Sequence, residues 1–374
     1  MPSDFQILCL HQPSSWLLAL PLLLMMGGVA AASPPAVTAR PLQPHAGGAL
    51  LLDIHGEWAE PCAPTGATVQ RERYDVEVRL AGGGACAGPV RELKLQPQSL
   101  APKDRRWGGP GVYRVRVFGP ERPGGGDRLL AFALLDVTAG ARTADPEPGL
   151  WWSEPGAEFD HAGPGLGLSL ERQGQVLSVT VFGYDGDGRA TWLYGAAPLA
   201  GRVARIELST LAGGRGPFAE YRAPDAIAAT GTVHLEFLSP ARAVAWFDRD
   251  GDGGGRSLHA ISLVRFRVGD DPAAAFLGDW LLFADEPEPD RAAGARWVRF
   301  QDVQPRPGGF RLTGPGGDAM DCDTDPSRPN SPPGNCRLSA TDGQYIDFEV
   351  TGLERLRGYQ PDGRRMSMIR RARD

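Results

Sequence analysis

Lysine is nearly missing from this chain of 374 residues: there are two, Lys94 and Lys103, and neither sits in the Gly-Lys-Ser/Thr setting of a phosphate loop. The sequence also lacks a Gly-x-Ser-x-Gly elbow, a Ser-x-x-Lys pair and a His-Glu-x-x-His run, so no residue is nominated as catalytic. No stretch keeps a 3.6-residue apolar period for three turns, and 50 Gly with 34 Pro break the chain too often for long helices. A surplus of positive charge is absent as well. With 45 acidic against 39 basic residues the formal charge is -6 and the pI near 5.6, which argues against nucleic acid as a partner.

Long hydrophobic runs are confined to one place. From Trp16 to Ala32 the sequence reads WLLALPLLLMMGGVAAA and ends on Ala30-x-Ala32, the form of a cleaved secretory signal over residues 1–32. A membrane span is the competing reading, but Pro21, Gly27 and Gly28 interrupt the roughly 20 apolar residues that a span requires. The expectation is a secreted or periplasmic protein with no membrane span after cleavage.

Removing the signal removes Cys9 and leaves Cys62, Cys86, Cys322 and Cys336, an even number suited to an oxidising compartment. Four cysteines allow three pairings. The local pairs Cys62 with Cys86 and Cys322 with Cys336 are expected, because each pair falls within one stretch between linkers. No Cys-x-x-Cys spacing exists, which disfavours zinc.

Alternation of period two recurs through the rest. Tyr74, Val76, Val78 and Leu80 alternate with charged residues, as do Tyr113, Val115 and Val117, then Leu177, Val179 and Val181, then Val233, Leu235 and Phe237. The fold class expected is all-β: an N-terminal β-sandwich-like domain, then antiparallel β-barrel or sandwich units. Residues 33–47 read as an extended, mobile leader and 48–141 as the disulfide-bridged sandwich. Residues 142–149, with the Pro-rich TADPEPG, read as a linker, and 150–268 and the disulfide-bridged 275–371 as two further β units that could share one barrel or sandwich. Trp151 and Trp280 each open a unit, without a clean internal repeat.

The second unit carries GLWWSEPG, GPGLGLSLERQGQ and YDGDGRATW. These segments resemble an uncharacterised family of secreted proteins, chiefly from Gram-negative bacteria. Its pattern is a Trp-Trp start, a Gly-x-Gly strand entry, a Gln-Gly hairpin and Tyr-Asp-x-x-Gly-x-x-x-Trp. Trp151, Trp152, Gly165, Gly167, Gln173, Gly174, Tyr184, Asp185, Gly188 and Trp192 occupy those positions. The first unit resembles the cysteine-bridged β-domain that can precede this pattern, and the third resembles its continuation. The resemblance implies a fold and brings no activity with it.

Two features carry chemistry. Asp248, Asp250 and Asp252 form an Asp-x-Asp-x-Asp-Gly string, a set of hard oxygens suited to Ca²⁺. Its twelfth position is His259 where an EF-hand has Glu, so a hairpin turn is the plainer reading. A second acidic cluster, Asp318, Asp321, Asp323 and Asp325, invites the same question. The other feature is aromatic: Trp151, Trp152, Tyr184 and Trp192 fall in one unit, and on one exposed sheet face they would make a stacking platform for a sugar. Adjacent Trp151 and Trp152 point to opposite faces of a strand. The function expected is a non-catalytic binding or surface-associated module, with a glycan or a cell-envelope protein as partner. The alternative is a secreted hydrolase of an extracellular polymer using acidic residues such as Glu236 and Asp248, and a deep cleft shared by those two and a histidine would favour it.

Overall fold

A computed structural model describes residues 35–40, 44, 46, 50–59, 63–82, 89–95, 98–99, 109–119, 127–138, 145–153, 165–216, 218–251, 255–267, 271, 273–285, 295–326 and 331–371. The expected signal over 1–32, Cys62, Cys86 and Asp252 lie outside the described residues. The described chain is all-β, apart from a 3₁₀ turn at Ala274–Phe276.

The described residues of the first unit form eight strands: β1 (Ala36–Arg40), β2 (Leu51–Ala59), β3 (Gly66–Glu72), β4 (Asp75–Ala81), β5 (Val90–Lys94), β6 (Gln98–Ser99), β7 (Gly111–Phe118) and β8 (Leu129–Val137). They form two four-stranded sheets, one of β1, β2, β5 and β6, the other in the order β3-β4-β7-β8. Both sheets feed one core that includes Leu52, Ile54, Val76, Val78, Val115 and Val117, so the alternation in β4 and β7 is a half-buried pattern. Within the expected mobile leader over 33–47, residues 36–40 are instead a strand: β1 pairs with β2 from Ala36↔His55 to Arg40↔Leu51. The Pro- and Ala-rich composition hid a short edge strand whose Val37 and Ala39 are buried.

The second unit runs β9 (Gly149–Ser153), β10 (Gly167–Gln173), β11 (Val176–Tyr184), β12 (Ala190–Pro198), β13 (Val203–Ala212), β14 (Ala226–Ser239), β15 (Arg242–Asp250) and β16 (Arg256–Arg265). Each strand pairs antiparallel with the next, and β16 closes on β9 through Leu263↔Ser153, Val264↔Trp152 and Arg265↔Trp151. A closed barrel has no unpaired edge to expose. Its interior is filled by Trp151, Leu168, Val179, Ile206, Val233, Leu235 and Phe237, as expected of eight strands.

The third unit contains β17 (Gly278–Ala284), β18 (Arg296–Phe300), β19 (Asp302–Arg306), β20 (Gly309–Thr313), β21 (Ala319–Asp323), β22 (Asn335–Ser339), β23 (Tyr345–Thr351), β24 (Arg355–Tyr359) and β25 (Arg365–Arg370). They form one nine-stranded sheet with β18 and β19 at its two ends. Only Gln301 separates β18 from β19, and its backbone N–H donates to Thr313 O at 2.9 Å. The sheet therefore curls back on itself, and β18 and β19 act as one bent strand. The second and third units do not share a sheet.

Both units start on the same device. Gly149 and Gly278 adopt φ of 113° and 116°, values that suit glycine because it has no Cβ. Two residues later Trp151 and Trp280 are buried, and each indole N–H donates to the carbonyl four residues back, Glu147 O at 3.1 Å and Phe276 O at 2.8 Å.

Within the expected linker over 142–149, residues 145–148 form a brace. Glu147 is buried, and its carboxylate accepts from three backbone N–H groups of the third unit, those of Leu353 at 3.0 Å, Glu354 at 2.8 Å and Arg355 at 3.0 Å. Burial pushes the Glu147 carboxyl above its ordinary pKa, against the pull of the Glu354 and Leu353 amides. Asp145 pairs with Arg172 of the second unit and with Arg355 and Arg357 of the third. Burial works against the Asp145 carboxylate, and the three guanidiniums outweigh it, leaving its pKa below the ordinary value.

Candidate functional site

Pairing register decides which aromatics share a surface. Trp152 pairs with Gly167, Gly167 with Phe182, and Phe182 with Trp192, which sets Trp152, Phe182 and Trp192 on one rung of β9, β10, β11 and β12. Paired residues project to the same face of a sheet. Here that face is the outside of the barrel, since Leu168, Val179 and Val181 of the same strands point into its core. Gly167 leaves the room this arrangement needs: a Cβ there would meet the Trp152 ring at 3.0 Å. Tyr184 follows Phe182 by two residues and Tyr194 follows Trp192 by two, so both stand on the same face.

The exposures separate platform from core. Trp152 is 39% exposed, Phe182 43%, Tyr184 63%, Trp192 46% and Tyr194 44%, whereas Trp151 is 1% exposed. Of the four aromatics expected in a stacking site, Trp152, Tyr184 and Trp192 lie on this face. Trp151 is a correction: it projects inward and packs edge-on against Phe237 at 6.0 Å between ring centres. Sequence reading missed Phe182, Tyr194 and Phe266, whose ring centre lies 5.9 Å from that of Trp152. The next rung carries hydroxyl groups, with Ser169 paired to Thr180, Thr180 to Tyr194, and Tyr194 to Ser209. Three strand spacings separate Trp152 from Trp192, about 14 Å of ringed surface bordered by hydroxyls.

A second cluster forms where the first unit covers the barrel. Val112, Phe132 and Leu134 pack on Val203, Val244, Trp246 and Ala260. Beneath them lies His234, buried edge-on against Phe132 with ring centres 5.0 Å apart. Its Nε2 lies 3.5 Å from Asp248 and makes no hydrogen bond. At that distance the pair is an electrostatic contact. Burial pushes the His234 pKa down, against the pull of Asp248. For Asp248, burial pushes up, and His234 with Arg256 outweighs it and holds the carboxyl below the ordinary range. Glu236 is pushed up by burial and receives Arg114 of the first unit at 3.3 Å. Across the same seam Asp136 accepts from Arg202 through the backbone N–H at 2.7 Å and the guanidinium at 2.7 and 3.1 Å.

Glu236, Asp248 and His234 thus lie along one seam beneath the first unit: His234 stands beside Asp248, whereas Glu236, opposite Val244, is four residues along the ladder from Asp248, opposite Thr232. Each carboxylate receives a guanidinium, Arg114 on Glu236 and Arg256 on Asp248.

Arginines also sit on the acidic segments. Asp248 and Asp250 belong to β15, and Arg256 bridges them at 2.7 and 3.0 Å, taking one oxygen of each. Around Cys322, Arg296 bonds Asp318 at 2.7 Å, Arg311 reaches Asp321 at 3.4 Å, and Arg306 pairs with Asp323. Among the described residues no group of three or more His, Cys, Asp or Glu side chains is placed to hold a metal ion. Asp185 closes a tight hairpin, accepting from the N–H of Asp187 and of Arg189 at 2.9 Å each. Cys322 and Cys336 form a disulfide across the directly paired positions of β21 and β22. No described helix is long and apolar enough to cross a membrane.

No protein-family model, curated protein or solved structure matches the chain, so a functional reading rests on its own residues.

Proposed function

We propose that this chain is an exported, non-catalytic binding protein whose second unit presents a ringed face to glycans. The observation that carries the reading is the rung of Trp152, Phe182 and Trp192 on the outside of a barrel whose core is complete without them. Aromatic faces left in water are costly unless a ligand covers them. A sugar ring offers an apolar C–H face to the indoles and a hydroxyl edge to the Ser169, Thr180 and Ser209 rung, a match that a purely apolar partner would lack. Export agrees with the signal-like leader, with the Cys322–Cys336 bond and with the resemblance to secreted proteins of Gram-negative bacteria.

A glycan array tests this. The wild-type protein is expected to bind a defined set of saccharides. The double variant Trp152→Ala, Trp192→Ala should lose that set, while Trp297→Ala in the third unit should keep it. An array with no wild-type signal, or one unchanged by the double variant, contradicts the proposal.

A further inference from the structure

The third unit has an opening that the aromatic face does not involve. At one end of its curled sheet lies a cavity of about 180 Å³, floored by Leu282, Leu338, Ile346 and Met366 and rimmed by hairpin residues of three strand pairs. That volume is below the roughly 300–1,000 Å³ of sites for drug-sized molecules, so it fits a short molecule. An apolar floor under a few convergent polar groups is the usual make-up of a ligand site.

The charges on the rim differ in what they are doing. Arg296 is committed, with both terminal nitrogens on Asp318 at 2.7 and 2.9 Å. Asp342 spends one oxygen on the backbone N–H of Gln344 at 3.0 Å. Arg364 stands apart. Its backbone N–H is satisfied by Asp362 at 3.0 Å, yet its side-chain Nε is buried with no acceptor, and among the described residues no carboxylate pairs with its guanidinium. A buried donor without an acceptor is costly, and Arg364 is one of the residues that line the cavity.

We infer that this mouth of the curled sheet binds a small amphipathic carboxylate, whose acid head pairs with Arg364 and whose short apolar body rests on Leu338, Ile346 and Met366. A guanidinium recognises a carboxylate by charge-assisted hydrogen bonds, which a neutral head of equal size cannot reproduce.

Calorimetric titration of the full chain with hexanoate and with hexanol tests the inference. Hexanoate is expected to bind at least about tenfold tighter than hexanol. Arg364→Gln should abolish that preference without moving the melting temperature, and Arg364→Lys should restore part of it by returning the charge. Ala340→Leu, which narrows the mouth, should weaken both ligands. Equal affinities, no heat from either ligand at millimolar concentration, or a preference that survives Arg364→Gln would each overturn the assignment.

Discussion

Replacing Glu147 by glutamine is the sharpest test of how the units are joined. One carboxylate oxygen accepts the N–H groups of Glu354 and Arg355, and the other accepts that of Leu353. In Glu147→Gln the amide oxygen can keep the first two, but its NH₂ then faces the Leu353 N–H, donor against donor. The variant loses one hydrogen bond to a charged group, worth about 1.5–3 kcal/mol, and leaves the buried Leu353 amide without a partner. A loss of about 2 kcal/mol corresponds to roughly thirtyfold faster hydrogen exchange at the affected amides. Exchange should be followed at Leu353, Glu354 and Arg355 together with strand amides of the first unit as reference. The expected pattern is acceleration confined to the turn 353–355 and the strands beside it. Exchange at Leu353 within about threefold of wild type would refute the claim that residues 145–148 are a brace, since that span is less than 1 kcal/mol.

Three further outcomes follow from the same structure. His234 is held neutral by burial, its folded pKa lying below the ordinary 6.5, so the unfolded chain binds the proton more readily. The stability this group supports is complete above about 6.5 and falls as pH drops from there toward the folded pKa, by at most about 1.4 kcal/mol per pH unit. Glu236, whose pKa is raised, acts in the opposite sense, so the test is a difference: urea melts of His234→Gln should be less acid-sensitive than wild type, and parallel pH profiles would argue against a neutral His234. Replacing Cys322 and Cys336 by serine opens a loop of sequence separation 14 and should cost about 3 kcal/mol in the unfolding of the third unit; no change in its denaturation midpoint would count against that figure. Because Arg256 occupies Asp248 and Asp250, Ca²⁺ added after chelation should leave the melting temperature unmoved, and a rise of several degrees would show the ion displacing the guanidinium.

The fold class was legible because period two is a local property. Val76, Val78 and Leu80 announce a half-buried strand whatever lies across from them, and adjacent Trp151 and Trp152 had to face opposite ways. Register was not legible. The pairing of Val264 with Trp152 that closes the barrel joins segments far apart in the chain, and no local pattern encodes it. The aromatic site was half legible for the same reason. Phe182 with Tyr184 and Trp192 with Tyr194, each two residues apart on either side of the Asp185 hairpin, were a readable signal that β11 and β12 present their rings together. Phe266 was not readable, because it reaches Trp152 from beyond the end of β16.

Composition misled where a side chain serves a distant partner. The Pro-rich run before Trp151 has the make-up of a linker, yet Glu147 and Asp145 tie down a turn more than 200 residues away. The Asp248 string has the make-up of a cation loop, and Arg256, across the hairpin, takes an oxygen of Asp248 and one of Asp250. In both cases the partner's identity depends on which strands become neighbours.

The central claim is that the outer face of β9 to β12 is a ligand surface, and Phe182 tests it most directly because register alone places it there. Calorimetry should compare wild type with Phe182→Ala against the strongest glycan from the array. The account predicts that the variant keeps its melting temperature and binds about fivefold more weakly, the value of one stacked ring at about 1 kcal/mol. A Phe182→Ala protein that binds as tightly as wild type would contradict it.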